Sequence, residues 1–135
     1  MTQPPDIPMR HFDRSLPMAL LRAREAVMKK FSPALKEQGL SPQQWRVIRA
    51  LVEEEALDAT EISERCALLM PSLSRILQNL QKRGLIERET ARDDQRRSLV
   101  SITATGRKIF TTLSPINEAR YAHITEKFGY GKLEL

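Results

Sequence analysis

The sequence predicts a mainly α-helical domain with a small β wing: a winged helix-turn-helix lobe joined to long helices. Three observations carry this expectation. Leu73, Ile76, Leu77 and Leu80 recur at the i, i+3, i+4, i+7 spacing of one helix face, with Pro71 at the start and Gly84 just past the end. A shorter helix precedes it over Asp58 to Cys66, opened by an Asp or Thr cap and joined through Ala67-Leu68-Leu69-Met70. After it, Leu85 to Thr90 and Ser98 to Ile102 read as strands around the charged tip Ala91 to Arg97, and Thr103 opens a new helix.

Residues 1–12, with Pro4, Pro5 and Pro8, cannot form a regular helix and read as an extended arm, either a disordered tail or a segment tied down by contacts. From Asp13 the first helix begins, and Leu16, Leu20, Val27, Phe31 and Leu35 keep one side apolar through Lys36. Its length of roughly 24 residues is large for so small a domain, and its apolar surface invites a partner. Gly39 ends this helix. Ser41 as N-cap and Pro42 at the first helical position start the next, with Trp45, Ile48, Leu51 and Val52 on one face and Trp45 as a core anchor. Leu57 to Ala59 has room only for a third strand pairing with the wing. The helix after Pro71 turns Ser72, Arg75, Asn79 and Lys82 outward, flanked by Ser74 and Gln78, with no acid anywhere in it. Taken alone that is a solvated surface; next to a basic wing it suits a groove of phosphates and base edges. The last helix carries Ile109, Leu113, Ile116, Ile124 and Phe128 and is expected to bend near Thr111 to Asn117, because Pro115 removes a hydrogen bond and clashes with the preceding turn. Gly129 and Gly131 close it.

Bulk properties narrow the function independently. At 135 residues and 41% hydrophobic the chain is one domain with a modest core. A net charge of +5 favours a polyanion as partner, and the distribution is more telling than the total. Ala50 to Glu64 holds six acids and no base, whereas Gln81 to Arg97 holds six bases against four acids. One cysteine excludes an internal disulfide, and no apolar run is long enough for a signal peptide or membrane span, so the chain reads as cytoplasmic. Cys66, four residues after Ile62, reads as a small core residue rather than a redox sensor. His11 and His123 are the only histidines, and there is no phosphate loop or nucleophile elbow, so no enzyme, cofactor or metal centre is expected.

Asp94-Gln95-Arg96, then six residues, then Thr103-Ala104-Thr105-Gly106, resembles the wing signature of the MarR-type transcriptional regulators, Asp-x-Arg followed by Leu-Thr-x-x-Gly, with Ile102 in place of the usual Leu. Leu80 to Ile86 resembles the family's recognition helix and following strand, and the similarity spans residues 13–128. Leu20-Leu21, Ala23 to Ala26 and Gln43 to Arg46 resemble the branch that represses operons for homoprotocatechuate and 4-hydroxyphenylacetate breakdown. The resemblance implies a homodimeric repressor with dimerisation helices over 13–38 and 107–135, a winged lobe over 41–106, and a pseudo-palindromic operator. It also implies a further helix where this chain stops at Lys132-Leu133-Glu134-Leu135. A winged helix serving as a protein or RNA interaction module is the alternative.

For DNA, Ser72, Ser74, Arg75 and Asn79 are expected in the major groove, with Arg75 and Asn79 reading base edges and Gln78 and Lys82 on phosphates. The resemblance places Arg96 in the minor groove and makes Asp94 a structural acid, with Arg92 and Arg97 adding charge. For an effector, Arg24 lies in the apolar stripe of the first helix, where an unpaired guanidinium is costly. Either it pairs with Glu25 or Glu118 or snorkels outward, or it joins Arg14, His11, Trp45 and Arg46 in a cleft that offers a fork for a carboxylate and apolar walls for a ring. The resemblance points to a small aromatic acid such as 4-hydroxyphenylacetate or homoprotocatechuate as the releasing ligand.

Overall fold

The computed structural model describes residues 7–91, 93 and 96–128. Arg92, Asp94, Gln95, the first six residues of the arm and the glycines after Phe128 lie outside them. A short 3-10 turn at Phe12–Arg14 leads into helix α1 (Leu16–Glu37). Then follow α2 (Pro42–Glu53), strand β1 (Leu57–Asp58), α3 (Ala59–Cys66), α4 (Met70–Lys82), β2 (Ile86–Thr90), β3 (Ser98–Ile102) and α5 (Ala104–Phe128). The sheet order is β1-β3-β2, antiparallel throughout, with Leu57 opposite Val100 and Ile86 opposite Ile102. The third strand expected at Leu57 is therefore present.

Local chemistry sets the boundaries. Ser41 and Gln44 form a complete capping box at α2, and Asp58 and Glu61 form another at α3; each satisfies two backbone donors that a helix start otherwise leaves orphaned. Thr103 caps α5: its hydroxyl accepts from Gly106 N–H and donates to the Gly84 carbonyl. The expected start of α1 at Asp13 is corrected to Leu16. Pro17 lies in the first turn of α1, and in a helix begun at Asp13 its ring would meet the Asp13 carbonyl four residues back. α5 is a single uninterrupted helix through Pro115. Ala67 closes α3 in the left-handed conformation at φ 52°, with Leu68 N–H donating to Ser63 O, and so turns the chain sharply into α4.

One hydrophobic core joins the elements. Leu35, Val47, Ile48, Leu51, Ile62, Cys66, Leu73, Leu77, Leu80, Ile86, Val100 and Leu113 are all but sealed from solvent. Each large aliphatic side chain so buried is worth about 2 kcal/mol in transfer free energy, which fixes α4 against α2, α3 and the sheet. Trp45 packs against this core, stacked on Phe110 with ring centroids 5.8 Å apart. Leu16, Leu20, Leu21 and Val27 of α1 and Ile116 and Tyr121 of α5 remain exposed in the single chain.

Candidate nucleic-acid interface and adjoining pocket

The buried stripe of α4 leaves its opposite face to solvent. Ser74, Arg75, Gln78, Asn79 and Lys82 are exposed there and Ser72 is half-buried. Among the described residues no acid pairs with Arg75, so its fork of donors is available to a ligand. Asn79 is partly engaged, because Gln44 Nε2 donates to its Oδ1 at 2.8 Å. Just past α4, Arg83 donates to Gly39 O at 2.9 Å and to Gln38 O at 3.1 Å, satisfying carbonyls at the end of α1. The C-terminal end of α4 is thus bonded through Asn79 to the first turn of α2 and through Arg83 to the segment between α1 and α2.

The hairpin of β2 and β3 stands beside this face, its base closed by Ala91 N–H donating to Arg97 O at 2.8 Å. Arg96 is exposed at its tip, and with Arg88, Thr60 and Met70 it lines a cleft between wing and helices. Arg97 is placed differently from the expectation that it adds charge toward DNA. Its Nε donates to Asp58 Oδ2 at 2.8 Å and its terminal nitrogen to Glu61 Oε1 at 3.2 Å, so it fastens the wing to the start of α3. The sequence held the signal, two acids at capping-box spacing, but not the strand that would meet them.

This junction is pH-dependent in a defined sense. Asp58 accepts the Glu61 N–H and the Arg97 guanidinium, which together outweigh its partial burial and hold its carboxyl below its ordinary 3.8. A carboxyl lowered in the folded state stabilises fully above its ordinary range, and the contribution is lost as pH falls through the lowered value. The wing attachment is therefore intact at neutral pH and loosens only in acid. Thermal unfolding between about pH 5 and about pH 3 should fall less steeply for Asp58→Asn than for wild type; parallel curves would contradict the coupling.

Between the lobes is a second feature, a pocket of about 160 Å³. Val27, Met28, Phe31 and Leu35 of α1, Trp45 and Arg49 of α2, and Asn117 and Tyr121 of α5 line it. Phe31 and Tyr121 meet with centroids 5.1 Å apart. Asn117 is 4% exposed, and its Oδ1 has no hydrogen-bond partner among the described residues. A buried acceptor left so costs about 1–3 kcal/mol.

Of the residues expected at an effector cleft, the structure brings only Trp45 to this pocket. Arg24 is exposed and pairs with Glu25 at 3.3 Å. Arg46 donates to the Cys66 carbonyl at 2.7 Å, between α2 and α3. His11 and Arg14 line a separate groove along the arm with Pro8 and Arg10. Arg49, Tyr121 and Asn117 also line this pocket and did not stand out in the sequence, although Arg49 follows Trp45 by four residues, one helical turn on.

Comparison with known proteins accords with this geometry. The MarR family model matches residues 38–97. The transcriptional regulator FarR of Neisseria gonorrhoeae is 37% identical over 121 residues, covering 90% of this chain and 83% of that protein. The homoprotocatechuate degradative operon repressor of Escherichia coli is 36% identical over 120 residues, covering 89% and 81%. Among solved structures, NadR in complex with 4-hydroxyphenylacetate superposes with a TM-score of 0.80 at 36% identity, covering 94% of this chain and 90% of that one.

Proposed function

This chain belongs to the MarR family, whose members are transcriptional regulators and not enzymes, and from that premise we propose that it represses an aromatic-compound degradation operon. In this reading a homodimer binds a pseudo-palindromic operator. The observation that carries it is the acid-free outer face of α4, set on a rigid core beside a basic wing. Ser72, Ser74, Arg75 and Asn79 enter the major groove, Gln78 and Lys82 hold phosphates, and Arg96 enters the minor groove, with Arg92 adding charge. The exposed apolar residues of α1 and α5 supply the dimer contact, within 13–38 and 107–135, and the lobe over 41–106 reads DNA. Two-fold pairing would set the recognition helices about 34 Å apart, one turn of DNA.

Release follows from the pocket. Its volume suits one aromatic ring, with Trp45, Phe31 and Tyr121 as walls and Arg49 as the cation for a carboxylate. 4-Hydroxyphenylacetate and homoprotocatechuate carry both the ring and the carboxylate, and the first is the ligand seen in NadR. A ligand preferring the arrangement with misplaced recognition helices lowers operator affinity by population shift.

A gel shift with the region upstream of the protein's own gene, titrated with 4-hydroxyphenylacetate, tests the whole reading. Sequence-selective retardation reversed by the acid is expected; binding without sequence preference would favour the interaction-module alternative. By calorimetry, Arg49→Ala should bind the acid about 10- to 100-fold more weakly, the worth of one charged hydrogen bond, while Arg24→Ala matches wild type. Equal affinity in all three proteins would remove Arg49 from the site.

A further inference from the structure

The start of α4 breaks a rule that the neighbouring helices obey. Its N-cap is Leu69, with no side-chain cap hydrogen bond, whereas α2 and α3 both open on complete capping boxes. Leucine is among the poorest N-cap residues. Leu69 is also 79% exposed and Met70 48% exposed, and with exposed Pro71 they form three consecutive apolar residues facing solvent. Leu68, one position earlier, packs against the core, so the turn already has its hydrophobic anchor without Leu69. Such runs persist where they serve a function, and departures from local rules concentrate at functional sites.

We infer that Leu69 is a specificity-determining residue that reads the 5-methyl group of a thymine in each operator half-site. This rests on the DNA-binding reading above. A recognition helix meets base edges with its N-terminal residues, the end that Leu69 occupies. Ser72, Ser74 and Arg75 border it on α4, and Arg88 and Arg96 lie across the cleft that Met70 lines. Phosphates drawn to those cations bring the groove against Leu69. The one apolar group on the major-groove edges is the thymine methyl, so an uncapped leucine there distinguishes thymine from cytosine by contact, not by hydrogen bonding.

The test combines two variables. The shortest duplex from the upstream region that the full chain shifts is scanned by replacing single thymines with deoxyuridine, which removes only the methyl. Wild type should lose about 4- to 10-fold in affinity at one thymine per half-site, the scale of one buried methyl. Leu69→Ser should show that loss already with thymine and be indifferent to the replacement. Serine can also cap α4, so the same variant should melt about 3 °C higher than wild type while binding the operator more weakly. Wild type insensitive at every thymine, or Leu69→Ser retaining the wild-type sensitivity, overturns the inference. So does Leu69→Ser melting lower or changing oligomeric state, which would mark Leu69 as a packing contact. A chain that shifts no duplex in preference to random DNA overturns the operator reading and this inference together.

Discussion

Gly106→Ala should destabilise the fold by about 3 kcal/mol, the largest loss expected from adding one methyl to this chain. A Cβ at this position would lie 2.4 Å from the Leu85 carbonyl oxygen and 2.7 Å from Ile102 Cγ1. The first contact is with backbone, and that carbonyl already accepts Thr103 N–H at 3.1 Å, so no rotamer change relieves it. The glycine is needed for room, where the first turn of α5 lies against the segment leaving α4, which gives a physical reason for the last position of the Leu-Thr-x-x-Gly signature. Gly84 differs: nothing lies within 4 Å of its added Cβ, and its φ of +74° is what favours glycine. Gly84→Ala should therefore cost only about 1–2 kcal/mol. Denaturant unfolding of both variants checks the ranking, and a Gly106→Ala loss under about 0.5 kcal/mol would contradict the close approach.

Arg75→Ala should reduce discrimination between operator and random DNA by about 1–3 kcal/mol, roughly 5- to 150-fold. Arg75 projects from the middle of α4 with no acidic partner among the described residues, and a guanidinium fork matches the two acceptors on the guanine edge. Asn79 is less free, since its Oδ1 already accepts from Gln44 and a bidentate contact to adenine needs that oxygen. Lys82→Ala should instead weaken operator and random sequence alike and reduce the slope of log affinity against log salt by about 1. Fluorescence anisotropy at several salt concentrations separates the two. Unchanged operator affinity in both variants would show that another face meets DNA.

Elements whose ends are chemically marked were legible in the sequence. Ser41-Pro42, Asp58 with Glu61, Pro71 and Thr103 each announce a helix start through their own side chains, and each lies within a residue or two of the observed one. The start of α1 was placed at Asp13, three residues early, because the restriction comes from Pro17, four residues on. What stayed hidden depends on residues distant in sequence. Arg97 meets Asp58 across 39 positions, and nothing local distinguishes it from Arg96, its neighbour at the wing tip. The pocket joins α1, α2 and α5, so Arg49 and Asn117 acquire meaning only once three helices are placed. For Arg24 the sequence left two readings open, and in the single chain the structure shows the pairing with Glu25 on an exposed stretch of α1.

The bonds from Arg83 and Gln44 make the recognition helix a lever. Its C-terminal end is bonded to Gln38 and Gly39 and to Gln44 at the start of α2, while Leu73 and Leu77 hold the rest of it in the core, so helix and elbow would move together. The 13 residues of α4 give an arm of about 20 Å. A rotation of about 10° at the elbow would carry the far end some 3 Å, close to the rise of one base pair. Trp45 stands next to Gln44 and walls the pocket, so a ring bound as proposed would bear on the same elbow. Because Leu73 and Leu77 are buried, such a rotation would carry α4 and the core side chains around it as one body, and the shift at the DNA would be a slip of the whole reading head by most of a base step.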